Sequence, residues 1–405
     1  MPLLLLLAAC DPYSAWSEAV FPWVYPPEPG VPEYARIRWE TETWTAGVDL
    51  RETALYLQKS QLHHATGSPA SVAHFEAMAD QIRPLRPGDL SLAFVGDTMW
   101  IGGAWDTAWS ATAPLLDADL RIGNLETPTS PDHPTELGSL GLYAFNAPPE
   151  MLDGLPLDVL QLNNNHSLDA GDAGLEATVA EVEARGMVPL GVDHHATVRV
   201  DGTRVALLSY TWGLNERDLE SAHELFLAPL AHPDGDLSDV RADVRAARSD
   251  ADLTVVLLHW GFEYEYLPTP EQQVMARELV SAGADLVVGH GPHVVQPAEW
   301  CNVDRPEHVP GIGSCSLRDD RGERTAAVLY SLGNFGTFQP TVQVRTGIVA
   351  TVSMRPGVGV TGLGWAPVTT EAGPSVVPLA TLTDPELEEE SARLDRLLGR
   401  RWRQP

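Results

Sequence analysis

Short apolar runs in this chain end, again and again, on the same kind of residue. Leu92–Val95 leads into Gly96-Asp97, and Leu120–Ile122 into Gly123-Asn124-Leu125-Glu126. Val159–Leu162 leads into Asn163-Asn164-Asn165-His166, with Asp169 close behind. Leu253–Leu258 leads into His259-Trp260-Gly261 and then Glu263. Leu286–Val288 leads into Gly289-His290-Gly291-Pro292-His293, and Ala327–Tyr330 into Ser331-Leu332-Gly333-Asn334. Runs this short and this apolar read as interior strands, and the helical stretches between them read as an α/β protein. Open α/β sheets build their sites outside the carboxyl ends of the strands. One His or Asn after a strand is ordinary turn or capping chemistry. Six strand ends carrying Asp, Glu, Asn and His predict one convergent polar site.

The helices between the runs carry their own stop signals. Asp172–Arg185 presents Leu175, Val179 and Val182 on one face and stops at Gly186. Thr269 reads as the N-cap of a helix over Pro270–Ala282, with Pro in the first position and Gly283 after the end. Residues 51–85 read as two helical pieces broken near Gly67-Ser68-Pro69. After residue 345 the texture is strand-like over Gly347–Ser353, Thr361–Ala366 and Ser375–Leu379, and Asp384-Pro385 starts a last helix.

Donors of carboxylate, amide and imidazole type, without thiolate, suit Zn, Mn or Fe better than Ca. Two such ions a few ångströms apart activate water and stabilise a leaving oxygen. His166 or His259 is the alternative proton donor, because imidazole titrates near neutrality. Across 405 residues the net charge is −30. That excludes a nucleic-acid binder working through Lys and Arg, and equally a basic patch seeking anionic lipid.

The N-terminus, Leu3 to Leu7 followed by Ala8-Ala9-Cys10, has the pattern of a lipobox, in which the chain is cleaved before an acylated cysteine. It is too short to span a bilayer and counts as a processing segment. No Lys or Arg precedes it, so an ordinary apolar N-terminus is the other reading. An exported chain permits disulfides, and Cys301 and Cys315 are then either bridged or two free thiols. The division expected is 1–10 lipoprotein signal, 11–90 tether and helical extension, 91–340 the α/β domain, and 341–405 further strands and a helix packing on that domain.

The motifs Gly96-Asp97-Thr98-Met99, Asn124-Leu125-Glu126, Asn164-Asn165-His166, His259-Trp260-Gly261, Gly289-His290-Gly291-Pro292-His293 and Ser331-Leu332-Gly333-Asn334 stand in the order seen in CapA-type capsule-synthesis proteins. Over about residues 91–340 the chain resembles that family, which is named for poly-γ-glutamate biosynthesis. The resemblance implies a metallophosphatase-like (calcineurin-like) α/β sandwich of sheets flanked by helices. It implies a metal group of Asp97, Glu126, Asn165, His259, His290 and His293, and catalytic roles for His166 and Asp169. Substrate contacts fall to Asn124, Asn164, Glu263, Ser331 and Asn334. The implied cofactor is one or two divalent ions (Mn, Zn or Fe). The implied setting is the bacterial cell envelope, reached through a lipid anchor on Cys10, with an envelope polymer such as poly-γ-glutamate and other capsule-synthesis components as partners. The function implied is a metal-dependent hydrolase or transferase in polymer synthesis or processing. The alternatives are a non-enzymatic polymer-binding or export component and a phosphoesterase on small phosphodiesters. Two departures bear on this. Met99 stands where metallophosphoesterases carry the His of Asp-x-His, and two residues rather than one separate His290 from His293. One ion, two held by different ligands, or none, all remain open.

Overall fold

The apolar runs fold as strands, and their burial follows from a side-chain period of two. A computed structural model describes residues 69–99, 103, 105–139, 142–215, 221–230, 235–303, 315–317, 324–337, 339, 341–371 and 375–404. Cys10, the tether and the first of the two expected helical pieces lie outside the described residues. The strands are β1 (Leu90–Thr98), β2 (Leu120–Leu125), β3 (Glu136–Ser139), β4 (Leu142–Asn146), β5 (Val159–Gln161), β6 (Val188–Leu190), β7 (Ala196–Val200), β8 (Thr203–Thr211) and β9 (Leu253–His259). They continue as β10 (Leu286–His290), β11 (Ala298–Val303), β12 (Cys315–Leu317), β13 (Arg324–Leu329), β14 (Asn334–Gly336), β15 (Thr346–Arg355), β16 (Gly359–Glu371) and β17 (Ser375–Pro378). The helices are α1 (Pro69–Ala79), α2 (Trp105–Ala108), α3 (Gly171–Ala184), α4 (Ser238–Asp250), α5 (Pro270–Ala282), α6 (Val342–Arg345) and α7 (Pro385–Leu398).

The main path of the large sheet runs β6-β5-β2-β1-β15-β16-β13-β10-β9-β8-β7. Two parallel groups lie on either side of the centre, β6-β5-β2-β1 and β13-β10-β9-β8. The long antiparallel pair β15 and β16 joins them, with β15 antiparallel to β1 and β16 parallel to β13. The path folds back on itself, so that β6 lies against β8. Leu92, Phe94, Ile122 and Val159 therefore face inward and pack in one core with Val205, Val255, Val287 and Val352. Their neighbours Ala93, Val95 and Leu160 face outward and pack under Leu175 and Val182 of α3. Val240 and Val244 of α4 and Met275 and Leu279 of α5 cover the other group. The result is the α/β sandwich with flanking helices that the sequence predicts.

Local signals explain the element ends. Thr269 caps α5 with a reciprocal box: its hydroxyl accepts from the Gln272 N–H, and the Gln272 side chain accepts from the Thr269 N–H. Gly186 and Gly283, after α3 and α5, both have positive φ. β11, β7 and α4 were not singled out in the sequence. Cys301 on β11 is disulfide-bonded, and its backbone register partner on β12 is Cys315.

Candidate metal centre

Strand register assembles the polar residues. Asp97, near the end of β1, is level with Asn124 on β2 and with Asn334 on β14. His259, the last residue of β9, is level with His290, the last of β10. The two parallel groups thus bring their carboxyl ends to one place. Close backbone approach makes this possible: a Cβ on Gly96 would lie 1.9 Å from the Gly333 carbonyl oxygen, and one on Gly289 would lie 2.0 Å from that of Tyr330.

Asp97 is fully buried and well supplied with donors. Oδ1 accepts from Asn124 Nδ2 (2.8 Å) and lies 3.2 Å from His290 Nδ1. Oδ2 accepts from the Gly291 N–H (3.0 Å) and lies 3.3 Å from His293 Nδ1. Burial pushes this carboxyl up, but hydrogen bonds and charge from His290 and His293 prevail and hold it well below the usual carboxylate range.

Glu126 is the opposite case. It is 0% exposed, and neither carboxylate oxygen has a hydrogen-bond partner. Oε1 lies 3.5 Å from His259 Nε2 and 3.7 Å from His293 Nε2. Burial, aided by the negative charges of Asp97, Glu263 and Asp169 and opposed by His293, drives its carboxyl well above the ordinary value. Burial takes the His259 imidazole down to about 3. On His293 burial also acts downward, but Glu126, Asp97 and Glu263 outweigh it and raise the ring to about 10. A buried carboxylate without donors is costly unless a cation meets it. Ligand atoms of Asp97, Glu126 and His293 all lie within 4.8 Å of one another. The donor set fits a divalent ion of the N/O-preferring kind.

Of the other expected ligands, His259 and His290 lie beside this trio. His290 is buried, with Nδ1 3.2 Å from Asp97 Oδ1 and an Nε2 that has no hydrogen-bond partner. Asn165 has a buried Oδ1 without a partner. Met99 is buried and packs under Thr337, whose hydroxyl approaches its sulfur at 3.8 Å. His166 Nδ1 sits 2.6 Å from Asp169 Oδ2, which also accepts from the Phe145 N–H (2.6 Å).

The residues expected at the substrate are placed differently from one another. Glu263 has a side chain 28% exposed, with Oε1 3.9 Å from His293 Nε2. Asn124, Asn164, Ser331 and Asn334 are buried and hold the frame of the site. Asn164 Nδ2 donates to Asn124 Oδ1 (3.1 Å) and to the Leu125 carbonyl (2.8 Å). Asn334 Oδ1 lies 3.1 Å from His293 Nδ1 while its Nδ2 donates to the Val344 carbonyl (2.8 Å), and Ser331 Oγ accepts from the Gly333 N–H (3.2 Å).

Two site neighbours escaped the sequence reading. Phe145 packs its ring on His166, centroids 4.1 Å apart. Asn215 touches both Asn165 and His166. The sequence carries a signal for Asn215, which stands shortly after the apolar run Val205–Ser209.

The chain is 27% identical over 270 residues to the PGA biosynthesis protein CapA of Bacillus subtilis, covering 61% of this chain and 63% of that protein. It is 30% identical over 184 residues to the capsule biosynthesis protein CapA of Bacillus anthracis, covering 44% and 39%. The chain thus spans less than two thirds of the length of these relatives. A solved 5'-nucleotidase precursor from Thermus thermophilus aligns at 12% identity with a TM-score of 0.40, over 76% of this chain and 59% of that one. Residues 91–339, more than half of the chain and every residue of the site above, match the bacterial capsule synthesis protein family PGA_cap, and the chain belongs to that family.

Proposed function

We propose that the chain is a metal-dependent hydrolase or transferase acting on a capsule polymer such as poly-γ-glutamate. The observation that carries this reading is Glu126, whose two buried oxygens lack donors beside Asp97 and His293. Asp97, Glu126 and His293 would hold a divalent ion (Mn, Zn or Fe), with His259, His290 and Asn165 offering further donor atoms. Bound there, such an ion supplies Lewis-acid activation of water and charge for a developing oxyanion. The chain itself supplies proton handling. Asp169 takes the Nδ1 side of His166, so Nε2, which Asn215 Nδ2 approaches at 3.4 Å, is the nitrogen to give a proton to a leaving group or take one from water. The polymer is an anion and the chain carries −30, so the positive charge it meets is local to the centre.

Metal analysis of the purified protein, with cleavage of poly-γ-glutamate followed in His259→Ala and His293→Ala, tests the reading. A bound divalent ion in the parent protein and loss of both metal and cleavage in the variants is the expected result. A metal-free parent protein, or variants that cleave as well as the parent, overturns it.

The reading also holds the protein at the envelope through an acylated Cys10. Among the described residues no helix is long and apolar enough to cross a membrane. Cys10→Ala is expected to release the protein from the membrane fraction; retention there overturns the anchor.

A second reading, a polymer-binding or export component without turnover, is favoured by Met99, which removes one usual ligand. Tight polymer binding that persists after chelation, with no cleavage, would select it.

A further inference from the structure

Past Thr211, the end of β8, the chain crosses from the His259 strand to the His166 loop. The Trp212 N–H donates to the His259 carbonyl (3.0 Å), and the Asn215 N–H donates to the Asn165 carbonyl (2.8 Å). The backbone of Asn215 is therefore tied directly to that of an expected ligand. Its side chain then faces two functional groups at once. Oδ1 accepts from Asn165 Nδ2 (3.1 Å), and Nδ2 lies 3.2 Å and 3.4 Å from Nδ1 and Nε2 of His166.

A carboxamide can turn over and present either its oxygen or its nitrogen. For Asn165 the difference decides function, because only the oxygen can ligate a cation. With Asn215 Oδ1 turned to Asn165 and Nδ2 turned to the His166 ring, this acceptor is met by the NH2 of Asn165. That bond fixes the turn of the Asn165 amide and leaves Oδ1 as its free atom. This oxygen is buried and has no hydrogen-bond partner. The same Asn215 side chain lies against the His166 ring, which Phe145 packs and Asp169 holds at Nδ1.

We propose that Asn215 is a positioning residue of the metal centre: it sets the amide of Asn165 oxygen-first for ligation and steadies the His166 ring beside Asp169. The proposal rests on the metal-centre reading given above. Partners of this kind, which orient a ligand without touching the ion, typically change metal affinity by about 10- to 100-fold when removed.

The test uses the full chain stripped of metal and titrated with Mn2+ alone by calorimetry. The parent protein is compared with Asn215→Ala, Asn165→Ala and the double variant, and the thermal midpoint of each metal-free form is recorded. The expected result is a loss of about 10-fold or more in Mn2+ affinity for Asn215→Ala, with a metal-free midpoint close to that of the parent. The double variant should bind no more weakly than Asn165→Ala, because the effect passes through Asn165. The hyperfine line shape of bound Mn2+ should change in the same way in the two single variants. Unchanged affinity in Asn215→Ala overturns the proposal, as does an effect that adds fully to that of Asn165→Ala. A metal-free midpoint that falls in step with affinity makes Asn215 merely structural and overturns it too. No Mn2+ binding by the parent protein overturns the metal-centre reading itself, an outcome separable from all of these.

Discussion

At the scale of single residues, Asp97 and Glu126 show how surroundings divide two similar side chains. Both are carboxylates and both are buried, but Asp97 receives an amide, a backbone N–H and two imidazoles, while Glu126 receives no hydrogen bond. Without an ion, Glu126 is a cost to folding, because a buried carboxylate without donors loses its hydration, so Glu126→Gln should stabilise the metal-free protein. The same variant should lose metal affinity by at least about 10-fold. Urea unfolding at neutral pH and a Mn2+ titration check the two halves; a less stable metal-free variant would contradict the account of Glu126. Gly96 makes a sharper steric case. An added Cβ would meet the Gly333 carbonyl oxygen at 1.9 Å, backbone against backbone, so Gly96→Ala should destabilise by about 3 kcal/mol in denaturant unfolding.

At the scale of elements, caps and straps hold the site's supports. α5 starts on the reciprocal Thr269–Gln272 box, and Thr269→Ala should cost about 1 kcal/mol of stability by the same unfolding assay. The segment after residue 220 is strapped down by charge. His223 Nδ1 lies 2.8 Å from Asp193 Oδ2 and Nε2 lies 3.2 Å from Glu176 Oε1, while Ser221 Oγ and the Ala222 N–H donate to Asp172 at the start of α3. Its hydrogen bond to Asp193, against desolvation and with help from Glu176, raises the His223 imidazole above its ordinary value. A group raised in the folded state stabilises fully below its unfolded pKa of about 6.5 and loses that contribution as pH climbs through the folded value. Stability measured from about pH 6 upward should therefore fall through that window, and His223→Gln should flatten the slope. Equal slopes in the two proteins would remove His223 as the cause.

At the scale of the whole molecule, the sandwich is what makes the site a single object. Asp97 belongs to one parallel group, His259 and His290 to the other, and the two meet only because the β15–β16 pair folds the sheet back. An ion held by residues of both groups would tie the halves together. Mn2+ at about 100 times its Kd should raise global stability by about 2.7 kcal/mol through mass action. His293→Ala should abolish that gain in a thermal melt, and an equal gain in the variant would place the ion elsewhere.

The sequence alone determined the strand ends that carry polar residues, the caps of α3 and α5, and the α/β class. These are local: a run of apolar residues, a period, a Thr or a Gly at a boundary is written in consecutive positions. The strand ends named in the sequence also contain the Asp97, Glu126 and His293 trio. Only the tertiary structure decided how these residues divide their work. Whether a carboxylate finds donors depends on neighbours brought across the sheet, such as Gly291 for Asp97, and nothing in the residues beside Glu126 says that it finds none. That Asn124, Asn164 and Asn334 hold the frame of the site likewise follows from burial of their amides between strands. Phe145 joins the site from β4 and Asn215 from the segment after β8, through contacts that form only when these parts pack against His166 and Asn165.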